Sequence, residues 1–559
     1  MTKRDSAFRI PRSAFVWLIL AVIIVFVYFF GLTIPLLGPD EPRYSQVARE
    51  MFERGDWITP TLGGFHWFEK PALLYWLQIA AYKLFGVSEF SARFGSALFG
   101  LGTVFSLWIL GLHFPAKAQR REESGFANWL ALIAASSIGI IVFSRGASFD
   151  IILAFPMTAG LVGFFIFDLT QSRKEARAQS KETTVDQNIS ASPRLCVYVS
   201  LFAFYFFIGV ALLAKGLVGI VFPFAIVGFY YLLSWRFPSR TFILSLVWGT
   251  MISAAVASAW YLPMYQRHGW EFVDEFFVQH HFQRFTSNKY FHPQPFYFFF
   301  WVLPLMTIPW LPFFLAGIWS SLKSIFNRRD AETRREDKNE NDLNTVSRSD
   351  NVSASPRLPF SPTPLLRFAA AWLLVPLVFF SFSGSKLPGY ILPSLPPALI
   401  IAAICLFRSV QKSEMRARMV KATALATLIS VVGLILFVVP RFADADSVKR
   451  LMETANRSGF TREKVLMLHI VSHNAEFYAA GRLIRDDTGK QRKFLGPAEV
   501  LEEIRKSATG AVLVIVPMEY WAQLKQSSLL ASNAIDDNGE LVIVAVREAN
   551  STRPGGAYP

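Results

Sequence analysis

A chain of 559 residues that is 53% hydrophobic and only 17% charged, with a mean hydropathy of +0.35, is too apolar for a soluble protein of its size. Several runs reach the roughly 20 apolar residues that a spanning helix needs, so the chain reads as a multi-span membrane protein. Its net charge of +15 then reports basic loops held on the cytoplasmic side, and argues against the nucleic-acid partner that such a charge suggests in a soluble chain.

In chain order, the apolar runs predict about eleven spans. They lie near 14–37, 91–113, 127–144, 149–169, 196–214, 217–235, 241–262, 296–322, 365–383, 390–407 and 420–439. The first is too long for a signal-peptide core and lacks a small-residue cleavage site, so it reads as a retained helix. Cys196 and Cys405 fall at or within apolar runs, which argues against a disulfide framework. Alternate loops collect the basic residues: Lys3 to Arg12, Lys117 to Arg121, Arg173 to Lys181, Arg236 and Arg240, the 323–364 loop, and Arg408 to Lys421. That bias predicts a cytoplasmic N-terminus and, with an odd number of spans, an extracytoplasmic C-terminus. The loops 170–195 and 323–364 carry the near-identical "QNISASPRL" (187–195) and "DNVSASPRL" (350–358), and read as disordered cytoplasmic inserts in a membrane domain covering 1–440.

The first outer loop, 38–90, is patterned. "YSQVAREMFERGDW" (44–57) has Val47, Met51 and Phe52 at helical spacing, and "PALLYWLQIAAYKLFG" (71–86) runs from Pro71 to Gly86 as an amphipathic interfacial helix. Beyond 440, "KVLMLHI" (464–470), "AVLVIVP" (511–517) and "ELVIVAV" (540–546) are short apolar runs separated by amphipathic stretches. They predict a small extracytoplasmic α/β domain over 441–559.

The polar residues on that outer side are the chemical candidates. Asp40 and Glu41 leave the first span in "GPDEPRYSQVARE"; helix capping explains one such carboxylate and two exceed what a cap needs. Asp150 either caps the span that it opens or faces a cavity. Glu69 and Lys70, in "FEKP", are either a solvated pair or a phosphate site at a helix start. Lys215, between two apolar runs, either snorkels or lines a cavity. "VQHHFQRFTSNKYFHPQPF" (278–296) offers His280, His281, Arg284, Lys289 and His292, without a spacing that fixes metal ligands. In "SGSKLPGY", turn chemistry accounts for Gly384, Pro388 and Gly389 but not for Lys386 or Tyr390. Carboxylates and phosphate-seeking cations thus converge on one membrane face, which fits a reaction between a lipid-phosphate sugar and an acceptor.

The motifs "DEPRYSQVAREMFERGDWITP", "FEKPALLYW", "RFGSALFG", "SRGASFD", "KGLVG", "HHFQRF", "HPQPFYFF" and "SKLPGYILPSLPP" resemble the bacterial aminoarabinose transferases that modify lipid A. More broadly they resemble the protein O-mannosyltransferase superfamily, with its GT-C fold. The resemblance covers about 14–440 and implies a polyprenyl (undecaprenyl) phosphate-linked sugar donor and a lipid A, other glycolipid or protein acceptor, in a multi-pass protein of the bacterial inner membrane. It implies catalytic roles for Asp40 and Asp150 and donor-phosphate contacts from Lys70, Arg284 and Tyr390; the reading of the residues adds Glu41 to the catalytic carboxylates and Lys386 and Lys215 to the phosphate-binding cations. It also implies that Arg43 and Tyr44 complete the substrate motif, and that no cofactor is required for catalysis, with a Zn²⁺ or other divalent ion beside Glu69 and His281 as an added feature. Two other classes compete: a lipid-linked sugar transporter, disfavoured because no internal symmetry is visible, and a non-catalytic scaffold built on the outer domain.

Overall fold

The computed structural model describes residues 12–113, 125–179, 193–283, 293–323 and 363–549. Among these, seven helices are long and apolar enough to cross a membrane, or nine if each of two bent pairs counts as one span. Two shorter apolar helices, α1 (Arg12–Phe29) and α9 (Val218–Leu233), occupy two further predicted positions. The long ones include α4 (Glu89–His113), α7 (Phe149–Gln179), α8 (Pro193–Lys215) and α10 (Arg240–Val273).

The predicted spans at 296–322 and 127–144 are each broken by a bend. Phe298–Met306 and Leu311–Lys323 meet at 120°, and the other bent pair, α5 (Gly125–Ala135) with α6 (Ile138–Ser144), meets at 59°. Pro304 and Pro309 supply no amide donor to a continuing helix. The two breaks repair each other: Ile138 N donates to the Ile308 carbonyl at 2.8 Å, and Trp310 Nε1 donates to Ser136 Oγ at 3.1 Å. Irregular backbone inside a bilayer is tolerated where protein groups satisfy it in this way. The predicted insert at 170–195 also begins late, because α7 continues to Gln179; 180–192 and 324–362 lie outside the described residues.

Helix ends gather at two faces. On the far face, Lys421 Nζ sits 4.7 Å from the Trp17 ring, and the buried Asp168 accepts from Tyr230 (2.8 Å) and Arg236 (2.9 Å). The other face carries the first loop, which folds as α2 (Asp40–Arg54), a hairpin and α3 (Leu73–Phe85). The hairpin, β1 (Thr61–Leu62) against β2 (Phe65–His66), was not predicted; Gly63 and Gly64 turn it with φ of 63° and 85°. Glu50 of α2 fastens it, accepting from Thr61 Oγ1 at 2.8 Å and Gly63 N at 2.7 Å.

The tail forms a five-stranded mixed sheet in the order β4-β3-β5-β7-β6, with β3 (Val465–Leu468), β4 (Lys493–Phe494), β5 (Ala511–Pro517), β6 (Leu530–Asp537) and β7 (Leu541–Glu548). Alternate residues of β5 bury on opposite faces: Leu513 and Ile515 on one, Val512, Val514 and Val516 on the other. This domain docks on the first loop. Tyr478 donates to Glu89 at 3.1 Å and accepts from Leu36 N at 2.9 Å, Lys449 pairs with Glu89 at 2.8 Å, and Arg49 lies 6.0 Å from the Phe477 ring.

Candidate active site

A cavity of about 300 Å³ lies where α2, the start of α3, the α6–α7 turn, the α8–α9 corner and the 383–390 turn meet. Asp40, Glu41 and Tyr44 reach it from α2, and Glu69 and Lys70 from the residues before α3. Asp150, Lys215 and Tyr390 also line it.

Capping explains neither lone carboxylate. Helix α2 starts at Asp40 with no side-chain cap, and the Asp40 carboxylate instead accepts from Arg43 Nη2 at 2.6 Å. At α7 the cap is Ser148, whose Oγ accepts from Asp150 N at 3.1 Å. That leaves the Asp150 carboxylate to pair with Lys215, whose ammonium lies 5.0 Å from the Tyr390 ring centroid. The 383–390 turn closes on this pair because residue 389 is glycine: a Cβ there would overlap the Asp150 carboxylate. Tyr44 is buried, edge-on to Phe149 at 4.9 Å. Burial, with Asp40 and Glu69 nearby, pushes its phenol well above the ordinary value, so it stays a neutral hydroxyl.

Glu41 departs from the catalytic expectation. Its carboxylate accepts from Leu37 N (2.9 Å), Ala147 N (2.6 Å), Arg93 Nε (3.0 Å) and Arg93 Nη2 (2.7 Å). Four donors match the roughly four acceptor positions of a carboxylate, so Glu41 is held as a clamp while it lines the cavity. Arg93, the first residue of "RFGSALFG" and given no role by the sequence, is 4% exposed; it also donates to the Leu32, Ile34 and Pro35 carbonyls, stapling the end of the first span to α2 and the α6–α7 turn. A lone arginine in an apolar helix was the signal available for it.

Lys386 likewise leaves the expected donor-phosphate set. It does not line the cavity; its buried ammonium donates to the Ser383 carbonyl at 2.7 Å and the Gln294 carbonyl at 3.0 Å, fastening the turn. Burial lowers its pKa from the ordinary lysine value. Arg43 does not line the cavity either, being held by Asp40 and by the Pro39 carbonyl at 2.9 Å beside the Trp67 ring. Arg284 and the side chain of His281 lie outside the described residues. Among the described residues, the histidines and carboxylates that converge as metal ligands are His66, His268 and Glu271, and Glu69 is not among them.

The family model described as dolichyl-phosphate-mannose-protein mannosyltransferase matches residues 15–273. The undecaprenyl phosphate-alpha-4-amino-4-deoxy-L-arabinose arabinosyl transferase of Shewanella sediminis is 28% identical over 414 residues, covering 73% of this chain and 62% of that protein. The protein of the same name from Yersinia enterocolitica is 29% identical over 404 residues, covering 71% and 60%. These matches therefore span about three fifths of the length of the curated relatives. In structure, the chain is similar to crystalline ArnT from Cupriavidus metallidurans bound to undecaprenyl phosphate, with a TM-score of 0.70 at 20% identity over 98% of this chain and 100% of that one. It is also similar to the archaeal oligosaccharyltransferase AglB from Archaeoglobus fulgidus, with a TM-score of 0.50 at 13% identity over 96% and 74%. The resemblance drawn from the motifs is borne out as a similarity: the chain is similar in sequence to the aminoarabinose transferases, matches the mannosyltransferase model over its first half, and shares the fold of crystalline ArnT.

Proposed function

We propose that this protein is a glycosyltransferase of the bacterial inner membrane that moves an aminoarabinose-type sugar from undecaprenyl phosphate to lipid A or another envelope glycolipid. The observation that carries this reading is the cavity itself, which Asp40 and Lys70 line together with the Asp150–Lys215–Tyr390 unit. The relatives' names supply the donor class.

In this reading the donor phosphate lies against Lys70, with Arg284 as a further contact. The bond from the anomeric carbon to the phosphate oxygen breaks, and its electron pair stays on a phosphate that is already a competent anion. Lys70 offsets the charge that develops there. The acceptor oxygen attacks the opposite face of the sugar, inverting the anomeric carbon. Where the acceptor is a hydroxyl, Asp40 takes its proton; where it is a phosphate, no base is needed and Asp40 orients the sugar. The displacement calls for no cofactor. Among the described residues Glu69 makes no hydrogen bond or ion pair, and it is the cavity carboxylate that suits a protonated amine on the sugar. The mannosyltransferase match favours a second acceptor class, Ser/Thr hydroxyls of proteins, at the same cavity.

The test is transfer by purified protein in nanodiscs from an undecaprenyl-phosphate amino sugar, with lipid A and an unfolded Ser/Thr-rich polypeptide as rival acceptors. Asp40→Asn preserves size and helix-start preference while removing the charge. It is expected to lose transfer by about 10²-fold or more with unchanged membrane levels and donor binding. Activity within a few-fold of the parent would leave Asp40 as no more than a partner for Arg43.

The topology proposed with this function puts the cavity and residues 441–559 outside and the far-face loops in the cytoplasm. Alkaline phosphatase fused after Lys449 is then expected to be active, and fused after Arg335 inactive. The reverse pattern would overturn both the orientation and the use of a periplasmic acceptor.

A further inference from the structure

Outside the cavity, His66 of β2 and the pair His268 and Glu271 at the outer end of α10 meet at one point. Their ligand atoms all lie within 4.8 Å of one another, and His66 Nδ1 is 3.0 Å from Glu271 Oε1. We propose that these three residues form a divalent transition-metal site, for Zn²⁺ by its donor set, that ties the first outer loop to α10.

Two imidazoles and one carboxylate with a fourth position left for water is a zinc donor set. Metal–ligand bonds of about 2.0–2.2 Å in a tetrahedron put ligand atoms roughly 3.3–3.6 Å apart, so the observed cluster needs little closure to accept an ion. The rings are already held. The His66 ring stacks on Phe68 at 4.9 Å with 21° between planes, and lies 4.7 Å from the His268 ring. Phe68 is fully buried with Trp260, Met264, Phe272 and Phe276, so the ligands rest on a packed apolar floor. Thr59 Oγ1, 2.9 Å from His268 Nε2, is the kind of outer partner that orients a ligating histidine. Gly269, at φ +55° and ψ −130°, breaks the helical path between His268 and Glu271 in a conformation that side-chain-bearing residues avoid.

Glu275, half-buried, Arg267 and Asp56 are the other charges that act on the cluster. Asp56 is engaged by Arg267 at 2.9 Å. Without an ion, His66 and Glu271 form an exposed pair that solvent screens. With one, the hairpin that immediately precedes Glu69 and Lys70 is fixed to the helix leading toward Arg284. The ion thus acts on position, at a distance from the reacting atoms, and the inference stands whatever sugar or acceptor is used.

The experiment uses full-length protein purified on a non-histidine tag, stripped with chelator, and titrated with Zn²⁺ by calorimetry, with Co²⁺ absorption as a second readout. One equivalent of metal and the intense visible bands of tetrahedral Co²⁺ are expected. Glu271→Gln, which keeps shape and fold, should weaken Zn²⁺ by about 100-fold, and His268→Ala should do the same. Thr59→Ala should weaken it by about 10-fold, as an outer partner does. No stoichiometric binding by folded parent protein would overturn the site. So would binding that survives Glu271→Gln and His66→Ala but disappears in Glu69→Gln or His281→Ala, since the ion would then belong to that other pair.

Discussion

Lys70→Ala is expected to slow sugar transfer by about 10²–10³-fold, the usual cost of losing roughly 2.7–4 kcal/mol of stabilisation at a charge that develops in the transition state. Lys70 lines the cavity beside Glu69, at the point where the loop turns into α3. A charge-assisted contact to phosphate is stronger than an ordinary hydrogen bond, and it strengthens as the leaving phosphate gains charge. Donor-lipid affinity should also fall. The matched control is Lys83→Ala in the last turn of the same helix, which is outside the cavity lining and should change little. Lys70→Arg should restore part of the activity, because it keeps the charge and alters donor geometry. Equal behaviour of the alanine variants at 70 and 83, in turnover and in donor binding, would move the phosphate site away from Lys70.

Arg93→Met is expected to cost about 3–5 kcal/mol of stability, because it strands the Glu41 carboxylate and three carbonyls in a nearly dry site. Both partners are well buried, at 4% and 14% side-chain exposure, so solvent does little to replace the lost contacts. The double variant Arg93→Met/Glu41→Gln should recover part of the loss, since the uncompensated charge is then gone. Thermal unfolding of the purified variants in one detergent checks this. A single variant that melts with the parent would mean that the staple is dispensable and that Glu41 must be reconsidered as a reacting group.

Much of this architecture was legible in the sequence because its causes are local. A run of apolar residues specifies a span wherever it occurs, and the short apolar runs of the tail specify strands because β3, β5 and β7 are buried on both faces. The Gly63-Gly64 hairpin was also locally encoded, between "TL" and "FH", and was overlooked. What could not be read was partnership at a distance. Asp40 and Glu41 are neighbours in sequence but point about 100° apart on α2. Which of them is consumed by structure depends on Arg93, 52 residues further on. Lys215 and Lys386 look alike as lysines near an outer turn, yet one meets Asp150 and the other meets only carbonyls. His66 and His268 show no motif spacing because the chain between them crosses the bundle several times.

The pairing of Asp40 with Arg43, Glu41 with Arg93 and Asp150 with Lys215 bears on how the site is found as well as on how it works. Opposite charges a few ångströms apart cancel at longer range, and salt screens the residue beyond about 8–10 Å. With these three pairs neutralised internally, the cavity is expected to cast little attraction into the surrounding water for soluble anions such as inorganic phosphate. A lipid-borne substrate needs no such pull, because its anchor confines the search to two dimensions. On the proposed function, selectivity for a membrane-anchored donor over its water-soluble counterparts begins with the route of approach, before any contact with the sugar is made.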